Sequence, residues 1–134
     1  MLGELVGDLT GKITSTRIIR CHTRELKMEK TMESKGNVLG NDVTFIATFK
    51  AKEREQGGFY SEGNGILMLK NGEKAVLHGS GISTAHKGQT MSMRGIRYLQ
   101  TRGGSLSRLN NVALVFEIEA GADGTITDKF WEWK

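Results

Sequence analysis

The chain contains no proline and a single cysteine, and its 134 residues include no long run of apolar side chains. The absence of proline argues against a proline-rich linker or disordered segment. A membrane-spanning helix needs roughly 18 consecutive apolar residues, so we expect no transmembrane segment. These absences predict a water-soluble globular protein, and the length suits a single domain, residues 1–134, with one core.

The lone cysteine, Cys21, has no partner for a disulfide within the chain. His22 follows it, but neighbouring residues of a strand point to opposite faces of a sheet, so a thiolate and base are not expected here. We expect a small buried thiol instead. The first residues, Met1 to Glu4, lack the basic start and apolar centre of a secretory signal. A cytoplasmic location is therefore predicted.

Motifs for metal binding and catalysis are also missing. A structural zinc site needs four cysteine or histidine ligands at set spacing, so one cysteine and three histidines predict no metal site. The segments 63–65 and 79–81 each begin like a dinucleotide-binding fingerprint but lack its third glycine and following helix. No Gly-x-Ser-x-Gly nucleophile elbow occurs. The sequence thus identifies no cofactor and no catalytic residue.

Acidic residues are absent between Lys74 and Phe116. The basic residues of this stretch are Lys74, Lys87, Arg94, Arg97, Arg102 and Arg108. Such a stretch predicts a positive field that attracts phosphate, carboxylate or nucleic acid. The alternative is a surface balanced by carboxylates from other strands, such as Glu25, Glu29, Glu33, Glu117 and Glu119. Nucleic acid is the less favoured partner, because aromatic residues are not interleaved with the basic ones as a stacking groove requires.

Segments typical of β-strands recur at nearly even spacing. Residues 43–52 carry an apolar side chain at every second position, the period of a strand with one buried face. Asn71-Gly72 lies between two apolar runs and predicts a β-hairpin in which both turn residues have positive φ. Gly79 and Gly81, at alternate positions of the next strand, predict tight bending.

Eight strands are expected: two flank the Asn71-Gly72 turn, and the others lie at 8–20, 23–35, 43–52, 90–100, 112–119 and 125–133. Their connections are too short for the helices that parallel crossovers need, so the predicted topology is an antiparallel meander. Eight such strands can close on themselves, which predicts an all-β up-and-down barrel, with a two-sheet sandwich as the alternative. One turn of helix is expected at 105–110, where it would close one end.

The second half of the chain carries a series of glycine and turn motifs: Gly63-Asn64-Gly65-Ile66-Leu67, Asn71-Gly72-Glu73-Lys74-Ala75, Gly79-Ser80-Gly81-Ile82, Arg94-Gly95, residues 106–110, Val115-Phe116-Glu117 and Trp133. With these motifs the chain resembles small uncharacterised bacterial and archaeal proteins that have calycin-like or allene oxide cyclase-like barrels. The resemblance implies a barrel that encloses an apolar cavity and forms dimers or trimers. It implies no particular activity.

An inward-facing arginine is the main candidate for a functional group. Arg94 and Arg97 lie on opposite faces of strand 90–100, so one of them faces the interior in either register. A buried guanidinium needs a carboxylate partner or a bound anion, and Glu117, in an apolar strand, is the candidate partner. Tyr98 and His78 would complete a ligand site by hydrogen bonding.

Small residues occupy many positions assigned to the interior: Ala47, Ala51, Ala75, Gly79 and Gly81. This pattern predicts either a pocket of about a few hundred Å³ or filling by flexible methionines. The available methionines are Met28, Met32, Met91 and Met93.

The favoured function is therefore the binding of a small apolar or anionic amphipathic molecule inside the barrel. The alternatives are a cyclase or isomerase on the same barrel, in which a carboxylate or tyrosine does the chemistry, and a nucleic-acid-binding module on residues 74–116. Both faces of residues 112–118 are apolar, which predicts a homo-oligomer, either a dimer or a trimer. Phe130, Trp131 and Trp133 are expected in the core and in that interface.

Overall fold

The computed structural model describes residues 1–23, 25–86 and 90–134, with only the backbone described at Ala85, His86 and Thr90. Eight antiparallel strands form a closed barrel in which each strand pairs with its neighbours in sequence and the last pairs with the first. They are β1 (Leu2–Arg20), β2 (Lys27–Val38), β3 (Asn41–Glu53), β4 (Phe59–Leu69), β5 (Lys74–His86), β6 (Thr90–Gln100), β7 (Ala113–Ala120) and β8 (Thr125–Trp133). The predicted meander barrel is confirmed, and the sandwich alternative is wrong.

The alternation of side chains decides which residues face the interior. In β3, the odd-numbered residues from Val43 to Ala51 are buried and the residues between them are exposed. Pairing keeps one set of residues inward across neighbouring strands: Ala47 lies opposite Met32 of β2 and Gly65 of β4. The apolar core consequently fills the centre of the barrel.

A single turn of 3-10 helix, Ser107–Leu109, lies at one end of the barrel. Leu106 and Leu109 are buried there, and Arg108 forms an ion pair with the buried carboxylate of Glu132 on β8. The predicted helical turn is confirmed. No helix of the described residues has the length and apolarity to cross a membrane.

At the other end, β1 and β2 extend beyond β8. The pairing of β1 with β8 ends at Lys12, whereas its pairing with β2 continues to Arg20. Cys21 follows this extension and is exposed. The prediction of a buried thiol is therefore wrong, because Cys21 lies past the part of β1 that closes the barrel.

The hairpin predicted at Asn71-Gly72 is confirmed, but its turn differs in detail. Gly72 has a φ of 92°, and the backbone N–H of Leu69 donates to the carbonyl of Glu73 over 2.9 Å. Three residues therefore form the loop, with glycine in the left-handed position. The two-residue turn with positive φ at both positions lies at Leu39 and Gly40 instead, with φ values of 49° and 81°.

We predict that Gly72→Val lowers the free energy of unfolding by about 1–2 kcal/mol, because an L side chain with β-branching is strained at positive φ. No other group lies within 4 Å of a Cβ placed there, so backbone strain alone accounts for the effect. Chemical denaturation of wild type and the variant measures the difference in their free energies of unfolding. Gly72→Asn is the control and should cost less, since asparagine tolerates this region. An unchanged stability for Gly72→Val would contradict the turn assignment.

Glu73 links this hairpin to the loop after β6. Its Oε2 accepts a hydrogen bond from the backbone N–H of Ser105 over 2.9 Å, and its Oε1 accepts one from Asn71 Nδ2 over 2.8 Å. These bonds favour the ionised form and hold the pKa of Glu73 below its usual value of 4.5, the bond from Ser105 contributing most.

The lowered pKa predicts how stability depends on pH. Glu73 contributes stability that is present above pH 4.5 and is lost as pH falls through its folded-state pKa. Glu73→Gln should therefore be less stable than wild type at pH 7, and the difference should narrow in acid. Thermal unfolding at several pH values measures this. Glu55→Gln, at an exposed position in the β3–β4 turn, is the control for the loss of a surface charge. A difference that is constant with pH would contradict the prediction.

Candidate functional site in the barrel interior

A buried ion pair lies at the centre of the barrel. Arg97 of β6 is 4% exposed and Asp128 of β8 is fully buried. Arg97 Nη1 donates to both Asp128 carboxylate oxygens, each over 3.1 Å. The sequence required one inward arginine, and the structure identifies it as Arg97, in the register that also buries Met93 and Leu99.

The prediction that Glu117 pairs with the inward-facing arginine is wrong. Glu117 lies opposite Arg94 in the β6–β7 ladder, on the outer face, and Arg94 Nε contacts its carboxylate at 3.4 Å. Phe116 and Ile118, its neighbours in β7, are the buried residues. The alternation of β7 therefore directs the Glu117 carboxylate outward.

Three phenylalanine rings surround the guanidinium. The distances from Arg97 Cζ to the ring centroids are 4.1 Å for Phe116, 5.1 Å for Phe130 and 5.5 Å for Phe45. The geometry follows from the ladder: β7 lies between β6 and β8, so the arginine reaches Asp128 across Phe116. Cation–π attraction stabilises a desolvated guanidinium in such surroundings.

Glycines provide the space for these rings. A Cβ at Gly65 would lie 2.5 Å from the Phe45 ring, and one at Gly81 would lie 3.1 Å from the Phe116 ring. Real Cβ atoms essentially never come as close as the first distance and rarely as close as the second, so each ring packs directly on the glycine backbone. Of the small residues expected to leave open space, Gly81 is thus packed by an aromatic ring, whereas Ala47 and Gly79 still border a cavity.

A cavity of about 50 Å³ remains beside Arg97. Its walls include Arg97, Ser61, Ala47, Met32, Met93 and Phe116. Each water-sized group needs roughly 10–15 Å³ of such a cavity, so the space holds roughly three to five such groups. The interior therefore combines filling by methionine with a small pocket.

Two polar groups at the cavity have unused hydrogen-bonding capacity. Ser61 is 2% exposed, and its hydroxyl finds no partner in the part of the chain that the structure describes. Both hydrogen bonds that the structure gives the Arg97 guanidinium start from Nη1. Nε and Nη2 therefore remain as donors. A second buried hydroxyl without a described partner, that of Ser34, does not line the cavity.

Burial dominates the electrostatics of the pair. It raises the pKa of the Asp128 carboxyl above its usual value of 3.8, and the charge and hydrogen bonds of Arg97 oppose the shift. Burial thus favours the neutral form of Asp128, and Arg97 is the group that favours its ionised form.

The other residues predicted for the site lie on the outer face of the barrel. Tyr98 and His78 are exposed and pair with one another across β5 and β6, and His78 Nδ1 lies 2.9 Å from Asn64 Oδ1. Arg94 also lies outside, with its Nη2 2.6 Å from Glu119 Oε1. The structure therefore brings only Arg97, of the five candidates, into the interior.

Sequence reasoning missed Asp128, Ser61 and the phenylalanines. The burial of Asp128 could have been predicted from the sequence. It lies two residues from both Ile126 and Phe130, so the alternation of side chains places its carboxylate on the buried face of β8. Ser61 carries a weaker signal, because serine is common on both faces of strands.

The acid-free stretch is neutralised by carboxylates from outside it or at its edge. Arg97 pairs with Asp128, Arg108 with Glu132, and Arg94 with Glu117 and Glu119. These pairs lie inside the barrel, at one end and on the outer wall. The balanced arrangement therefore describes Arg94, Arg97 and Arg108, while Lys87 lies outside the described part of the chain.

The fold and the site together define a small closed β-barrel with a polar centre. The sequence matches no protein-family model and no curated protein. Solved structures share the fold. A conserved protein of unknown function from Rhodopseudomonas palustris superposes with a TM-score of 0.80 at 13% identity, over 99% of each chain. A protein with unknown function from Clostridium acetobutylicum ATCC 824 gives 0.83 at 13% identity, over 98% of each chain. At this identity the likeness concerns the barrel alone.

Proposed function

We propose that the protein binds a small apolar or amphipathic molecule inside the barrel, with its polar end against Arg97. The observation that carries the proposal is the cavity wall, where Ser61 and Arg97, two buried residues with unused hydrogen-bonding capacity, lie among apolar side chains. Binding sites for small molecules typically have this composition. In this proposal the interior serves as a binding site, as the calycin-like and allene oxide cyclase-like resemblance implies.

The volume limits the ligand. Sites for drug-sized molecules measure about 300–1,000 Å³, whereas this cavity measures about 50 Å³. The ligand therefore places only a few heavy atoms beside Arg97, either as the whole molecule or as the polar end of a longer one.

Binding is favoured over the cyclase or isomerase alternative by the residues that line the cavity. Glu62, the carboxylate residue among the described lining residues, is on the exposed face of β4, and Tyr98 lies on the outer surface. No described carboxylate or tyrosine side chain is thus placed for proton transfer to a molecule in the cavity.

The test is mass spectrometry of protein purified without detergent, first native and then after denaturation. We expect a small molecule to be released from wild type and to be missing from Ala47→Val, which adds two methyl groups at the cavity wall. Ala51→Val is the matched control: this alanine is also buried in β3 but does not line the cavity. No released molecule, or equal release from both variants, would contradict the proposal.

We also propose that the barrel self-associates through an apolar surface on its outer wall. This surface consists of Leu2, Leu5, Ile96, Tyr98, Val115, Trp131 and Trp133. Neighbouring strands bring these residues together, since Trp131 lies opposite both Leu5 and Val115. Tyr98 and Trp133 remain more than half exposed, and contiguous exposed apolar surface marks interaction sites.

A row of alternating charge borders this surface: Arg94, Glu117, Lys129 and Asp8 follow one another across four strands. Such a row complements its own copy in a two-fold symmetric contact.

Light scattering should give a mass above the 14.8 kDa of one chain, and Leu5→Glu should lower it to that value. Ile66→Glu is the control, at an exposed apolar position on β4 outside this surface. A wild-type monomer would contradict the proposal.

A further inference from the structure

We infer that the interior site takes a small uncharged molecule with an acceptor oxygen, such as a short amide or ketone, and discriminates against anions. This inference rests on the proposed function and names the chemical class of its ligand. An inward-facing arginine by itself leads to the expectation of an anionic ligand. The inference differs from that expectation because the structure places the carboxylate of Asp128 beside the arginine.

The charge balance of the site carries the inference. Arg97 and Asp128 are both almost fully buried and lie within hydrogen-bonding distance, so their charges cancel. Arg97 is the only basic residue among the described residues that line the cavity. An anion there would place a third charge in the interior and leave one negative charge without a partner, which is costly in a medium of low dielectric constant. An uncharged ligand avoids that cost.

The unused hydrogen-bonding groups select the polar atoms of the ligand. The Nε and Nη2 groups of Arg97 are donors without acceptor capacity, so they require an acceptor oxygen. The Ser61 hydroxyl both donates and accepts, and it has no described partner of its own. A carbonyl oxygen satisfies the arginine, and an amide N–H satisfies the serine oxygen.

The remaining walls and the volume select the rest of the molecule. Met32, Leu77 and Ile118 are apolar lining residues, so they accept a short carbon chain. The cavity accommodates roughly three to five water-sized groups. Propionamide, with five heavy atoms, is at the upper end of this range, and propionate is its anionic counterpart of the same shape.

The experiment is a titration of the full-length, isotopically labelled protein with propionamide and with propionate, at pH 7 and matched ionic strength, followed by two-dimensional NMR. We expect saturable shifts of the amide signals of Gly63, Gly65, Gly79 and Gly81, which line the cavity, with propionamide. Propionate should bind at least about tenfold more weakly, which corresponds to about 1.4 kcal/mol.

Two serine variants test the assigned contact. Ser61→Ala should weaken propionamide binding by roughly two- to tenfold, the usual range for one uncharged hydrogen bond. Ser34→Ala removes the other buried hydroxyl without a described partner, away from the cavity, and should leave binding unchanged. Equal effects of the two variants would contradict a contact between the ligand and Ser61.

The outcomes separate the inference from the proposed function. Tighter binding of propionate than of propionamide would overturn the inference and leave interior binding intact. No saturable shift at the cavity with either compound would overturn the inference, and, together with no molecule released on denaturation, it would overturn the proposed function too. Preferential binding of propionamide, weakened by Ser61→Ala, supports both.

Discussion

Asp128→Leu should lower the free energy of unfolding by about 3–5 kcal/mol, because it leaves the Arg97 guanidinium buried without a counter-charge and without the acceptor of its two hydrogen bonds. Both groups are at least 95% removed from solvent, so water cannot replace the lost carboxylate. Arg97→Met should be destabilising for the converse reason, since it leaves the Asp128 carboxylate alone in the core. Urea denaturation of the two variants measures these effects.

The double variant Arg97→Met with Asp128→Leu provides the decisive comparison. Replacing both members of a buried ion pair with apolar residues of similar size is often neutral or stabilising, by about 1–4 kcal/mol. The three phenylalanine rings already present an apolar surface to the methionine. We therefore expect the double variant to be about as stable as wild type. Additive losses from the two single changes would contradict this description of the pair.

The pH dependence of the same variants has a definite sign. Burial raises the folded-state pKa of Asp128, so the folded chain takes up this proton at a higher pH than the unfolded chain does. The contribution of Asp128 to stability therefore decreases as pH rises from 3.8 through the folded-state pKa. The double variant lacks this contribution, and its stability relative to wild type should increase over that range.

Gly7→Ala should lower the free energy of unfolding by about 1–3 kcal/mol or more through overpacking. A Cβ at Gly7 would lie 2.2 Å from two atoms of the Phe130 ring. That ring cannot move aside easily, because Phe130 is fully buried and its centroid lies only 5.1 Å from Arg97 Cζ. The loss of stability arises from contact with the ring and not from backbone strain, since Gly7 is not among the residues with positive φ.

Two further variants isolate this cause. Gly3→Ala, on the same strand, places its Cβ near the flexible end of the Lys134 side chain, at 3.2 Å, and should have little effect. Phe130→Leu should cost less in the Gly7→Ala background than in wild type, because the smaller side chain leaves room for the added methyl group. Equal costs of Phe130→Leu in both backgrounds would contradict direct packing of the ring on Gly7.

Much of the barrel could be predicted because its signals are local. Alternation from Val43 to Ala51 specifies which face of β3 is buried, and the glycine of the Asn71-Gly72 turn positions the β4–β5 hairpin. The short connections exclude parallel crossovers. Turn geometry was less predictable: the turn at Leu39 and Gly40 has positive φ at a leucine, a position where composition favours asparagine or glycine.

The candidate site could be predicted only in part. Two arginines at odd spacing in β6 guarantee that one faces inward, but local sequence does not choose between them. Asp128 lies 31 residues from Arg97, and the two meet because a single strand, β7, separates their strands in the barrel and both side chains face its interior. Glu117 is nearer to Arg97 in sequence and lies in an apolar segment, yet the alternation of side chains in β7 places it on the outer face of the barrel.

The sequence by itself therefore determined the strands, their order and, where alternation is clear as in β3, the buried face, because these follow from alternation, turns and short connections along neighbouring residues. The tertiary structure alone decided that Arg97 pairs with Asp128, that phenylalanine rings cover the interior glycines, and that Ser61 faces a small cavity. These contacts depend on the stagger between strands that are distant in sequence, which only the closure of the barrel sets.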